Sequence, residues 1–228
     1  MVDKNIKFDI HSAKRIIFFV TLYTALGILY ISLKGTIAPW TDVCLKALPI
    51  LLLIGLLAFS LKGAKDRTEV LLPMAALFFS FLGDSAGEVP FLHGDMKFIF
   101  MMLFFAIAHV FYICSFCRFI KGKRRTPAVP LLLIYYAVIL AILHPHMVAG
   151  AVKAGACIYM TLILAMGMCA SLQKREGLPF FVIGAVLFIL SDSILAYCKF
   201  VAPLPGRDIL VMGTYYAAQL LLNFRLIR

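Results

Sequence analysis

Charge is what this chain has least of. Only 14% of its 228 residues are Asp, Glu, Lys or Arg, against about 25% in an ordinary soluble domain. Acidic residues are the scarcer half, 11 against 22 basic ones. No polar stretch between the apolar runs is long enough to hold a soluble domain. Cys44, Cys114, Cys117, Cys157, Cys169 and Cys198 all lie in or at the ends of apolar runs, and the CxxC from Cys114 to Cys117 has no second pair. They read as small packing residues, not as a disulfide scaffold or a redox motif. His144 and His146 have no third ligand nearby in sequence, which leaves them as loop residues and not a metal site. What is abundant is apolar surface. It makes up 63% of the residues, and the mean hydropathy is +1.00. One water-soluble core could not hide that much, so the composition excludes disorder and a nucleic-acid module and points to a polytopic membrane protein.

A helix needs about 20 apolar residues to cross a bilayer. Charged or turn-forming breaks divide the chain into eight such runs, roughly 16–33, 43–61, 69–87, 97–117, 127–144, 147–171, 178–199 and 208–225. The expectation is a single integral-membrane domain over 1–228, an all-α bundle of eight transmembrane helices. The first run follows a polar tail with Lys4, Lys7, Lys14 and Arg15. It is long and more spans follow, so it reads as an uncleaved first helix. His144-Pro145-His146 forms a tight turn between the fifth and sixth. Eight spans place both termini on one side. Lys34, Lys46, Lys97, Lys153, Lys199 and Arg207 then fall on the opposite side, and the other sixteen basic residues join the termini. The positive-inside rule makes that richer side cytoplasmic.

Ionised groups inside a bilayer are expensive, so acidic residues within a span are functional candidates by default. Two stand out, Asp84 in Ser80-Phe81-Leu82-Gly83-Asp84-Ser85 and Asp192 in Ser191-Asp192-Ser193. Each follows a small residue and precedes a serine, and both fall in the outer half of an outward-running span. This faint parallel repeat suggests that spans 3 and 7 face each other. Two carboxylates brought together in an apolar site would not both ionise easily, which supplies an acid beside a base. The bland reading is that each caps a broken helix or bonds a neighbour.

Helical spacing puts Phe98, Met102, Phe105, His109, Tyr112 and Phe116 on one face of span 4, and Met212, Tyr215, Tyr216, Gln219 and Asn223 on one face of span 8. Polar groups on such faces either line a site or join helices. Lys46 and Lys153 open spans 2 and 6 on the outer side and Lys199 closes span 7. They either snorkel to the interface or form a cationic rim for a lipid phosphate.

The segments Ser80 to Asp84, Ala108-His109 to Tyr112, Gly184 to Ala196 around Ser191-Asp192, and Tyr215-Tyr216-Ala217-Ala218-Gln219 occur in an order that resembles the YhhN-like lysoplasmalogenase family of multispanning membrane proteins. Weaker pieces are Lys46 to Pro49 and Gly155 to Met166 around Tyr159. The chain departs from the pattern at Ala47, where a proline is expected, and near Met101-Met102, where a glycine is expected. The resemblance implies hydrolysis of the vinyl ether bond of a lysoplasmalogen to a fatty aldehyde and glycerophosphoethanolamine or glycerophosphocholine. It also implies a bundle of eight helices with Asp84 and Asp192 as the catalytic pair.

Protonation of an enol ether at its β-carbon gives an oxocarbenium ion that water captures, so the chemistry asks for an acid, an anion and a base but no metal or cofactor. An activity maximum near neutral pH follows. The expected substrate-binding set has Lys46 and Lys153 toward phosphate and Tyr112, Tyr159, Tyr215 and Gln219 toward glycerol hydroxyls, with Ser80, His109 and Ser191 beside them. The expected partners are a lysophospholipid and the bilayer, with no nucleic acid, and the location in a bacterium is the inner (plasma) membrane. The rival readings are a proton-coupled small transporter, a zinc-dependent lipid amidase and a non-catalytic lipid-binding protein.

Overall fold

The computed structural model describes residues 10–122 and 126–227. Lys4, Lys7, Lys123, Arg124, Arg125 and Arg228, which enter the charge count above, lie outside the described residues. The described residues form an all-α bundle of eight α-helices. They are α1 (Ile10–Leu33), α2 (Pro39–Ser60), α3 (Arg67–Glu88), α4 (Gly94–Cys117), α5 (Ala128–Leu143), α6 (Ala151–Leu172), α7 (Leu178–Phe200) and α8 (Arg207–Phe224). Seven of them, α1 to α7, are long and apolar enough to cross a membrane by length and composition. Helix α8 is not among the seven. Its 18 residues include Arg207, Asp208, Gln219 and Asn223.

Local sequence sets several helix ends. Pro39 opens α2, where a missing N–H is no loss. Asp66 caps α3 by accepting the Thr68 N–H at 3.0 Å. The Arg118 side chain bonds the other oxygen of Asp66 and, with that cap, holds its carboxyl below the usual range. His144-Pro145-His146 forms a 3₁₀ turn between α5 and α6. Pro49 and Pro73 lie inside α2 and α3, both buried against neighbours. A helix bundle tolerates such prolines because surrounding helices can satisfy the freed backbone groups.

The packed pairs close a ring that runs from α2 to α3, α4, α6, α7 and α8 and back to α2. Helix α1 covers the α2–α8 side and α5 covers α6 and α7. The interior is aromatic and polar, with Tyr30, Tyr112, Phe116, Phe181 and Phe188 fully buried. Large apolar side chains such as Ile17, Phe18, Phe59, Leu131 and Ile134 point outward, as expected where lipid is the solvent. Asp208 at the start of α8 pairs with Lys34 at 3.4 Å, and Arg225 beyond its end pairs with Glu176, just before α7, at 3.9 Å. So α8 runs back along the whole of α7.

That close return depends on Gly184. A Cβ built there would lie 3.0 Å from the Leu222 backbone nitrogen and 3.1 Å from the Ala218 carbonyl oxygen. Gly184→Val must push two backbones apart, which is expected to cost about 1–3 kcal/mol. A lower unfolding midpoint in detergent would show it.

Spans 3 and 7 present their aspartates to one cavity but do not pack directly on each other. Among the described residues α3 and α7 share no sustained contact, and neither do α4 and α7. Helix α4 meets α7 through side chains, Phe105 on Phe188 and Phe98 on Phe200, with ring centres 6.1 and 5.7 Å apart. This loose seam matters for the site.

Candidate active site

Two carboxylates project into the ring, and each is held by a tyrosine. Asp84, on α3, is buried and accepts a hydrogen bond from the Tyr215 phenol of α8 at 2.6 Å. Asp192, on α7, accepts one from the Tyr159 phenol of α6. A second polar side chain stands behind each tyrosine. Gln219 Nε2 lies 3.3 Å from the Tyr215 oxygen, and His109 Nε2 lies 3.0 Å from that of Tyr159. His109 Nε2 is also 3.9 Å from Asp192. The aromatic rings of Phe105 and Phe188 stand between the two clusters, edge-to-face on each other and on Tyr215.

One turn past Asp84 comes Glu88, which collects one cation from α2 and one from the turn just after α1. Its Oε1 accepts from Lys46 Nζ at 2.9 Å, Lys34 Nζ at 3.2 Å and the Tyr30 hydroxyl at 3.3 Å. Lys46 Nζ lies 3.7 Å from Asp84, so one ammonium is shared by both carboxylates of α3. The Tyr216 hydroxyl donates to the Lys46 carbonyl at 2.9 Å and fixes α2 to α8 at this level.

Asp84, Asp192, Ser191, Tyr215 and Phe105 all line one cavity of about 410 Å³. Its mouth carries Lys34, Lys97, Lys199 and Arg207, with Glu88 and Asp208 among them, and Lys46 lies deeper, between Asp84 and Glu88. The arrangement is a chamber with two carboxyl groups on an otherwise largely apolar wall and cations at its rim. Among the described residues no three His, Cys, Asp or Glu side chains gather as metal ligands would.

The sequence profile of the YhhN family matches residues 41–226, which carry every helix except α1 and the start of α2. The chain belongs to the YhhN family. It is 33% identical over 194 residues to lysoplasmalogenase TMEM86B of Homo sapiens, covering 83% of this chain and 76% of that protein. It is 32% identical over 195 residues to lysoplasmalogenase TMEM86A of Bos taurus, covering 80% and 77%. Against TMEM86A of Homo sapiens the figures are 30% over 194 residues, with 80% and 76% covered. No solved structure matches it.

The fold of this YhhN-family protein separates the expected site residues into three groups. Asp84, Asp192, Ser191, Lys46 and Tyr215 reach the cavity wall. Ser80, Tyr112 and Gln219 are fully buried behind Tyr215. The Tyr112 hydroxyl donates to Gln219 Oε1 at 2.8 Å, and Gln219 Nε2 lies 3.0 Å from Ser80 Oγ. Asn223 Nδ2 donates to the Tyr112 oxygen at 2.9 Å. His109 is likewise fully buried behind Tyr159. Lys153 turns away, its ammonium 3.5 Å from the carbonyls of His144 and Met147 at the α5–α6 turn. Ser191 donates to the Val211 carbonyl at 2.9 Å, tying α7 to α8.

Lys46 is no rim residue: it is 7% exposed and held between Asp84 and Glu88. A span-end lysine reads as a snorkel in sequence because its buried partner is on another helix. Glu88 escaped the sequence reading because it sits at the end of its run. Its spacing of four from Asp84, one helical turn, was the available signal. The serines after each aspartate bond their own helices, Ser85 to the Phe81 carbonyl at 2.9 Å and Ser193 to that of Ile189 at 2.7 Å.

Proposed function

We propose that this protein is a lysoplasmalogenase that cleaves the vinyl ether of a single-chain phospholipid, with Asp84 and Asp192 as its acid–base pair. The observation supporting it is that both carboxyl groups, each held by a tyrosine, line one chamber with a cationic mouth. Relatives that it matches are named lysoplasmalogenases.

In the proposed reaction one carboxylic acid gives its proton to the β-carbon of the enol ether. The C=C π electrons form the new C–H bond, and the ether oxygen lone pair forms C=O⁺. The other group, as carboxylate, stands near the cation and takes a proton from the attacking water. The resulting hemiacetal then gives up its hydroxyl proton to one carboxylate and breaks the bond between its central carbon and the glycerol oxygen, which takes a proton from the other carboxyl group, giving fatty aldehyde and glycerophospho-alcohol. The logic parallels the carboxylate pair that handles an oxocarbenium-like state in glycoside hydrolysis. Tyr215 and Tyr159 orient the two carboxyl groups, and Gln219 and His109 orient the tyrosines.

In the same reading α8 is the eighth span, and its polar residues are tolerated because they face the ring, not lipid. Both termini are then cytoplasmic, and the chamber mouth opens to the opposite side.

The decisive assay is fatty aldehyde release from 1-alkenyl-glycerophosphoethanolamine by the purified wild-type protein in detergent with chelator present. Time-dependent aldehyde in one-to-one ratio with glycerophosphoethanolamine is expected. Intact lipid after prolonged incubation with folded protein rejects the hydrolase.

A further inference from the structure

The CxxC from Cys114 to Cys117 has a partner that the sequence does not announce. Cys117 closes α4, and its sulfur lies 3.6 Å from that of Cys169 in the last turn of α6. The pair sits at the end of the bundle away from the chamber mouth. Gly94 and Lys97 of that mouth belong to the first turn of α4, and Cys117 belongs to its last.

The backbones behind the two sulfurs are held together by other contacts. Helices α4 and α6 pack on each other. Just beyond their ends the Lys174 N–H donates to the Phe119 carbonyl at 2.9 Å, and the Arg175 guanidinium rests 4.6 Å from the centre of the Phe119 ring. Further up the same two helices, His109 Nε2 meets the Tyr159 oxygen at 3.0 Å. Two sulfurs in contact across such a frame can bond by side-chain rotation, with little backbone movement.

Access differs between the two thiols. Cys117 is exposed, and Cys169 is half-buried. The residues that follow Cys117 include Arg118 and Lys121, both charged and exposed, so water reaches this end. An open thiol beside a second, more sheltered one is the layout of a redox pair, with one sulfur to be oxidised and one to resolve it. Cys114 is exposed as well, but no other sulfur lies within hydrogen-bond distance of it among the described residues.

We infer that Cys117 and Cys169 are a reversible redox site whose oxidant is hydrogen peroxide. In the first step the Cys117 thiolate attacks a peroxide oxygen. A sulfur lone pair forms the S–O bond, the O–O bond breaks, and the leaving hydroxide takes up a proton to become water. In the second step the Cys169 thiolate attacks the sulfur of the Cys117 sulfenic acid. The S–S bond forms, the S–O bond breaks, and the second hydroxide is protonated to water. Two thiols and one peroxide thus become one disulfide and two waters, with two electrons passing from sulfur to oxygen. A small thiol such as glutathione restores the pair by exchange. The bond staples α4 to α6, the helices whose His109 and Tyr159 stand behind Asp192. This site is separate from the chamber chemistry and does not depend on the reading under Proposed function.

The test treats the purified wild-type chain in detergent with a small molar excess of hydrogen peroxide, then blocks the remaining thiols with N-ethylmaleimide. Peptide mass spectrometry is expected to find Cys117 joined to Cys169, with Cys44, Cys114, Cys157 and Cys198 carrying maleimide, and dithiothreitol is expected to undo the link. In Cys169→Ala the reaction stops at the Cys117 sulfenic acid, which dimedone traps. Cys114→Ser leaves the link unchanged. The link bridges a sequence separation of 52 residues, so the unfolding midpoint of the oxidised wild type is expected to rise by about 5 °C or more, with no rise in peroxide-treated Cys169→Ala. A link between Cys114 and Cys117 overturns the inference. So does recovery of Cys117 and Cys169 as separate maleimide adducts while other cysteines are oxidised. A link without the rise in midpoint overturns the staple.

Discussion

Asp84→Asn and Asp192→Asn are each expected to slow aldehyde release from a lysoplasmalogen by at least about a hundredfold, the lower end of what a positioned acid or base contributes. The substitution is nearly isosteric. An amide oxygen can still accept the Tyr215 hydrogen bond at Asp84 or the Tyr159 bond at Asp192, so the tyrosines keep a partner. What the amide cannot do is give up or take a proton at the reacting carbon. Lys46 loses one of two carboxylate neighbours in Asp84→Asn but keeps Glu88 at 2.9 Å, so the fold is expected to survive. Initial rates with matched circular dichroism and thermal unfolding check both points. If the two groups act on one reaction, the double variant is little slower than either single one. Full turnover by either folded variant would end the acid–base assignment.

The sequence makes some of this arrangement legible and hides the rest, for physical reasons. Asp84 and Asp192 stand out because a carboxylate amid a 20-residue apolar run has few reasons to be there. The faces of α4 and α8 are readable because helical spacing gathers His109 with Tyr112 and Tyr215 with Gln219. Those four residues are buried in the folded protein. Periodicity says which face of a helix turns inward but not which helix it meets. Hence the repeat around the two aspartates does not reveal their neighbours: α3 packs on α2 and α4 while α7 packs on α6 and α8, and the two aspartates share a cavity without sustained contact between their helices. The pairing of Tyr215 with Asp84 spans 131 residues, and that of Tyr159 with Asp192 spans 33. No local pattern announces either. Gln219 and Tyr112 look like candidate substrate ligands from sequence, yet they satisfy each other behind the cavity wall. A polar residue in a span needs a partner, and the chain cannot reveal whether protein or ligand supplies it.

Lys46 shows the energetic side of the same issue. Its ammonium is the shared counter-ion of Asp84 and Glu88, and all three groups are largely withdrawn from water. Removing one member of a buried ionic cluster leaves the others uncompensated, which typically costs about 3–5 kcal/mol. Lys46→Met keeps the aliphatic stem and deletes the charge. Asp84 then loses its nearest cation, while Glu88 retains Lys34 at 3.2 Å. A loss of stability on that scale is expected, seen as a lower unfolding midpoint in detergent and faster proteolysis.

The double variant Lys46→Met, Glu88→Gln separates this from mere loss of packing. It removes a cation and an anion together, so its deficit should be smaller than the sum of the two single deficits. A coupling of about 0.5–3 kcal/mol is the range for groups in direct contact. Strictly additive deficits would mean that the 2.9 Å contact carries no net energy and that Lys46 serves the chamber some other way. A coupled result places the stabilising charge pair one helical turn from Asp84, where the same ammonium holds the carboxylate in position.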